Sequence, residues 1–355
     1  MRRSIPGDPG ARDDGTDAAG RTPRPRSHTG GTPSRRGILA GTAAAGLGAL
    51  LAACGESGGS PPGGAGPSQG AGGGSAAPSA SPPKRPAKRP ELPGGGRELF
   101  PRYQMTGYCG LPGAAALGRL GTGDLDERVK EVRKKAEEYA RDREPMPVLE
   151  LLATIANPVP GAEGKYRTRT SPDTIERHLD AARRHEALLL LNVQPGQADM
   201  LEEVKALEKW LVHPDVGVAV DPEWDMGPGE VPGKKYGRTT GRELTAIAGY
   251  LSGIVEKHGL PEKPMVFHQV GLSVVPERSA LRTSPGVVPI MSADGIGAPE
   301  LKRQTWNGLV KSLPAGLHTG FKLFYDEDAE AEGSRVMTPS EVLKLRPTPE
   351  YVMYE

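Results

Sequence analysis

From residue 103 onward the chain alternates short, nearly continuous apolar runs with longer stretches where apolar residues recur every three or four positions. The first pattern marks strands covered on both faces, the second amphipathic helices. Runs at 103–109, 147–155, 187–194, 216–224, 264–270, 287–294, 320–326 and 350–354 predict eight strands. Periodic stretches at 124–140, 172–185, 199–212, 241–258, 299–311 and 339–345 predict the helices between them. Three helix starts carry an N-cap oxygen, in Ser171-Pro172-Asp173, Thr240-x-x-Glu243 and Thr338-Pro339-x-Glu341. Only the unit after the fifth strand is weak, with a faint helical pattern at 276–282. Eight strand–helix alternations in about 250 residues predict one α/β domain, a (β/α)8 TIM-type barrel.

Strand parity then assigns faces, because successive side chains point to opposite sides. In the fourth strand Val216, Val218 and Val220 form one face, suited to outer helices. Gly217, Ala219, Asp221 and Glu223 form the other, small residues followed by acids. The same rule places Glu150 with Thr154, Asn192 with Gln194, Ser292 with Asp294 and Lys322 with Asp326 in the lumen, together with His268. A purely structural lumen is filled by Val, Ile and Leu. Here most strands end in a polar side chain at the end where barrel proteins keep their sites.

The first 97 residues differ in kind. They hold 23 of the 49 Gly and none of the 16 aromatic residues, so they cannot bury enough apolar surface to offset ordering entropy. Ser34-Arg35-Arg36-Gly37-Ile38-Leu39 reads as a twin-arginine export signal, followed by 16 uncharged residues at 38–53. Leu51-Ala52-Ala53-Cys54 resembles a bacterial lipobox, which implies lipidation of Cys54. Residues 55–97 form a Gly/Pro/Ser-rich linker with a reach of roughly 35 Å. The division expected is therefore a signal with lipobox at 1–54, a disordered linker at 55–97 and a barrel at 98–355. Such a chain is an extracytoplasmic lipoprotein anchored to the cell membrane.

Charge follows the same boundary: residues 1–97 carry a net +7 and residues 98–355 a net −6. A mildly acidic domain argues against a nucleic-acid partner. Two cysteines, Cys54 and Cys109, make no disulfide framework, and Cys109 is expected to be a packed thiol. No Gly-x-Ser-x-Gly elbow, Walker-type loop or Gly-x-Gly-x-x-Gly follows a strand. Glu150, Asp221, His268 and Asp294 are of metal-ligating types, but no His-x-His or His-Glu-x-x-His spacing supports them. Neither metal nor cofactor is expected.

The sharpest constellation is Asp221-Pro222-Glu223-Trp224. Two carboxylates two apart on a strand point the same way and repel, which raises one pKa toward that of a general acid. Trp224 would supply a stacking wall. A second acidic cluster, Tyr325-Asp326-Glu327-Asp328, follows the seventh strand. Carboxylates after strands four and seven resemble the arrangement of barrel-fold glycosidases. Asp221-x-Glu223 is also similar to the end of the chitinase-type motif, although Val216 and Ala219 stand where that motif has its earlier acids. The resemblance implies Glu223 as acid/base, Asp326 as nucleophile or second base, and Asp221 as the residue tuning Glu223. Glu150, Asn192, Gln194, Trp224, His268, Asp294 and Tyr325 would then hold substrate.

The phrases Asn192-Val-Gln-Pro-Gly196, Asp221-Pro-Glu-Trp224, His268-Gln269, Asp294-Gly295 and 320–328 together resemble exported actinobacterial-type lipoproteins with a glycosidase-like barrel. Two functions remain open at this point. One is a monomeric glycosidase-like hydrolase acting on a short carbohydrate or cell-envelope glycan. The alternative is a non-catalytic lipoprotein binding a glycan or peptidoglycan fragment. A structural envelope protein is a third reading. Sixteen aromatics leave few platforms for a long sugar chain.

Overall fold

In the computed structural model, residues 89–355 are described; the export signal, Cys54 and the linker through residue 88 lie outside the described residues. Parallel pairing runs without a break from β1 (Tyr103–Gly110) through β2 (Glu144–Ala156), β4 (Leu188–Val193), β5 (Val216–Val220), β6 (Lys263–Gln269), β7 (Val287–Ala293), β8 (His318–Leu323) and β9 (Tyr351–Tyr354), and β9 returns to β1. These eight strands close a (β/α)8-like barrel. Its outer layer comprises α1 (Leu125–Ala140), α2 (Pro172–Arg184), α3 (Met200–Lys205), α4 (Glu208–Leu211), α5 (Gly241–His258), α6 (Pro299–Val310) and α7 (Pro339–Val342).

Local chemistry starts the helices where the sequence places them. Ser171 and Thr240 each accept the backbone N–H three residues on, and Thr240 with Glu243 completes a reciprocal capping box, as does Thr338 with Glu341. Strand parity sorts the core in two. Val216, Val218 and Val220 join Leu189, Leu191, Phe267 and the helix faces outside the barrel. Met105, Met146, Val148, Leu190, Val266 and Ile290 fill the lower lumen. Gly217 lies on the lumen side because a Cβ there would approach Pro264 Cγ to 2.6 Å and Leu190 Cδ2 to 2.8 Å.

The weak fifth unit has no α-helix. Two short 3-10 turns, Leu272–Val274 and Arg278–Ala280, stand in its place. The Arg278 guanidinium is buried there and donates to Gln269 Oε1 at 2.7 Å and to the Leu309 carbonyl at 2.6 Å. It ties β6 to α6, and the barrel stays closed across a seven-residue β6–β7 ladder.

Residues 89–97, assigned to the linker by composition, are packed. Leu92 is buried with Leu99 against the lower lumen, and Arg97 donates to the Gly259 and Leu260 carbonyls just before β6. Two apolar side chains and one guanidinium thus close the N-terminal face, where a composition average sees only Gly and Pro.

A short strand unforeseen by the apolar pattern, β3 (Arg167–Arg169), folds back antiparallel on β2. Arg167 and Arg169 both clamp the buried Glu203 of α3, at 2.9 and 2.7 Å. Gly196 fits beneath this hairpin at φ +60°, where a Cβ would come within 2.4 Å of the Tyr166 carbonyl.

Candidate ligand site in the barrel mouth

Above the apolar lower lumen, inward positions carry Glu150, Asn192, Asp221, His268, Ser292, Asp294 and Lys322, and the Tyr351 hydroxyl reaches up to them from the start of β9, all of them buried. Glu150 is the hub. Its Oε1 accepts from Asn192 Nδ2 at 2.8 Å and pairs with His268 Nε2 at 3.0 Å, and its Oε2 accepts from the Tyr351 hydroxyl at 2.8 Å. Burial alone would raise the Glu150 pKa, but the charge and hydrogen bond of His268, with help from Lys322 and Tyr351, hold it below the usual carboxylate range. Burial pulls His268 the other way, and Glu150 and Asp221 overcome it, lifting the imidazole to about 9.

Asp221 is gripped from one side by two amides, Asn192 Nδ2 at 3.3 Å and Gln194 Nε2 at 2.9 Å. Asp294 lies 3.6 Å from Lys322 Nζ and 4.0 Å from His268 Nδ1. Lys322 also pairs with Glu355 at 2.6 Å. Strand parity predicts Asp326 beside Lys322 in the lumen; only the lysine stays there, because the strand ends at Leu323 before parity can carry Asp326 inward.

Over this network opens a cleft enclosing about 590 Å³ of space, its mouth included. Glu150, Asn192, Asp221 and Lys322 reach it from below, and Leu117, Leu152 and Trp224 give it apolar walls. Glu327 and Glu355 lie at the junction with a wider hollow that is lined by Tyr108, Arg119, Tyr325 and Asp326. The Tyr325 hydroxyl donates to that of Tyr108 at 3.2 Å, and its ring stacks on Tyr354 with centroids 5.1 Å apart.

Thus Glu150, Asn192, Gln194, Asp221, His268 and Asp294 converge as parity implies, with Trp224 beside them. Glu223 and Asp326 do not join them. The chain leaves strand geometry after Val220, and Pro222 opens a 3-10 turn, Pro222–Trp224. The two-residue alternation that would align Glu223 with Asp221 therefore stops, and Glu223 is wholly buried and absent from the cleft lining. Asp326 is exposed at the crest of a turn that Asp328 organises from below, accepting from Phe324 N at 3.0 Å and Gly297 N at 2.9 Å. Thr154 also turns away, toward Glu203, because the β2–β4 register slips between Leu152 and Thr154. Leu152 takes the cleft-facing place. Tyr351 and Glu355 escaped notice as site residues, although the alternation Tyr351, Met353, Glu355 points all three inward.

No protein-family model matches the chain, and no curated protein does. Among solved structures, a hyperthermophilic endo-β-1,4-glucanase in complex with substrate is similar, at 9% identity over 73% of this chain and 87% of that chain, with a TM-score of 0.37. A likeness of this size carries no argument about chemistry, and the closed barrel here rests on its own strand pairing.

Proposed function

We propose that this chain is a lipid-anchored extracytoplasmic barrel that binds a short carbohydrate in its mouth. The observation that carries this reading is the setting of Asp221. Both of its carboxylate oxygens are held by side-chain amides, and it faces a cleft that also contains the Trp224 ring. Fixed acceptors beside an aromatic surface match a sugar, which offers hydroxyl donors at its edge and C–H groups on its face. The cleft is narrow, which suits a short ligand rather than a polymer. Export and anchoring rest on the arginine pair, the uncharged stretch and the lipobox ending at Cys54.

Binding ranks above hydrolysis because the deep acids are engaged by partners, and the expected pair Glu223 and Asp326 is divided between the core and the rim. Hydrolysis is the second reading, favoured by one observation: Asp221 and Asp294 bring carboxylate oxygens within 4.8 Å of each other, near the roughly 5 Å spacing of retaining glycosidases.

The experiment is a panel of mono- and disaccharides and soluble peptidoglycan fragments, scored by melting temperature and by release of reducing sugar. Binding predicts a concentration-dependent rise in melting temperature that Asp221→Asn removes, with no product formed. Product formation lost in Asp221→Asn selects hydrolysis. No thermal shift and no product across the panel would sink both readings.

A further inference from the structure

We propose that Asp221, His268 and Asp294 form a binding site for a divalent transition-metal ion of the zinc class at the floor of the cleft. Each residue offers one ligand atom, and these atoms lie within 4.8 Å of one another. All three side chains are buried. The second, independent observation is on His268 itself: it is fully buried, and its Nδ1 has no hydrogen-bond partner while facing Asp294 Oδ2 across 4.0 Å. A tetrahedral ion with donors at about 2.0–2.2 Å draws them to about 3.4 Å from one another, so the three side chains would close in by up to about an ångström on binding.

The surroundings of His268 match those of a metal-bound imidazole. Its other nitrogen, Nε2, meets the Glu150 carboxylate at 3.0 Å, and Glu150 is fixed in turn by Tyr351 and Asn192. With Nε2 placed to donate to the Glu150 carboxylate, Nδ1 is the ring nitrogen that faces Asp294. A carboxylate holding the far N–H of an imidazole is the usual support of a metal-binding histidine.

Charge and donor type narrow the ion. Glu150, Asp221, Asp294 and Glu355 gather around one ammonium, Lys322, which lies 3.6 Å from Asp294 and 2.6 Å from Glu355. Lys322 and the His268 imidazole together do not outnumber four carboxylates, so the cluster tolerates a further cation. An imidazole with two carboxylates favours zinc-like ions over magnesium or calcium, which prefer all-oxygen sets. The Asn192 Oδ1 atom also has no hydrogen-bond partner, and its amide nitrogen is already 3.3 Å from Asp221. Asp221 lines the cleft while His268 and Asp294 lie fully buried behind it, so a further ligand would reach the ion from the Asp221 side. The ligands come from the ends of three successive strands, so no short sequence motif announces them. The site shares Asp221 with the carbohydrate reading, but its test uses zinc alone and no sugar, so the two can fail separately.

The test is calorimetric titration of zinc chloride into the full chain after EDTA treatment and dialysis. One ion per chain is expected, lost in His268→Gln and weakened about 10–100-fold in Glu150→Gln, the support of the ligand. Because substitutions in a buried network endanger the fold, the unsubstituted chain labelled with 15N-histidine gives a second readout. Zinc should shift the His268 Nδ1 resonance and leave Nε2 protonated. An unmoved His268 resonance at saturating zinc, equal affinity in His268→Gln, or no binding at millimolar zinc would each overturn the proposal.

Discussion

Lys302 Nζ lies 3.0 Å from Asp328 Oδ2, both side chains out of contact with solvent, and the pair joins α6 to the turn that follows β8. The same ammonium donates to the Gly295 carbonyl at 2.6 Å, while Asp328 accepts from Phe324 and Gly297. Two of the loops at the top of the barrel are therefore tied to one buried charge pair.

For both members burial outweighs attraction: the carboxyl is held above its ordinary range and the ammonium below its own. Asp328→Asn, which strands the lysine, should cost about 3–5 kcal/mol, whereas replacing both by apolar residues of similar volume should cost far less. Urea unfolding of Asp328→Asn and of Asp328→Leu with Lys302→Met checks this. Equal losses in the two would show that loop hydrogen bonds, not charge, dominate.

Gly217→Ala should destabilise the barrel by about 1–3 kcal/mol, since the lower lumen has no room for a methyl group. The control is Gly249→Ala on the exposed side of α5, where nothing lies within 4 Å of the added carbon. There helix propensity alone acts, and a gain of about 0.5–1 kcal/mol is expected. Thermal melts of both variants settle the contrast.

Asp225 gives a pH signature. Burial first, then the charge of Glu243, raises its carboxyl to about 7, with Asp199 and Glu230 adding to the repulsion and a Thr239 hydrogen bond opposing it. Between about pH 4 and 7 the folded chain holds a proton that the unfolded chain has released. Stability therefore falls as pH rises through that window. Asp225→Asn should flatten this fall and be more stable than the parent at pH 8, while matching it more closely near pH 4. Melting temperatures across pH 4–8 test it, and an unchanged slope would refute it.

Lys263 acts with the opposite slope in a different window. It is buried at the foot of β6, donates to the His213 and Val216 carbonyls, and burial pushes its ammonium down to about 7. Above pH 7 the unfolded chain holds the extra proton, so stability rises toward pH 10. Lys263→Met should remove this residue's contribution, so the melting temperature of the variant should drop relative to that of the parent from pH 7.5 to 9.5, where His268 also gives up its proton.

Apolar periodicity located the barrel strands and the longer helices because each buries a regular face, and alternation alone brought Glu150, Asn192, Asp221, His268 and Asp294 to one end of the lumen. Alternation failed where the backbone stopped being a strand. Pro222 removed Glu223 from the cleft, the bulge after Leu152 turned Thr154 outward, and the turn after Leu323 carried Asp326 to solvent. The hairpin strand β3 was invisible for another reason: Arg167, Thr168 and Arg169 are held by ion pairs to Glu203 rather than by apolar burial. Composition likewise hid Leu92, one apolar residue whose position matters more than its neighbours' average.

That packed leader at residues 92–99 has a geometric consequence. Arg97 and Leu99 fasten the incoming chain beside the start of β6, whereas the cleft opens where the strands end. The packed leader and the cleft therefore occupy opposite faces of the barrel. A substitution at Leu92 or Arg97 acts on how firmly the floor is closed and leaves the residues that meet a ligand untouched.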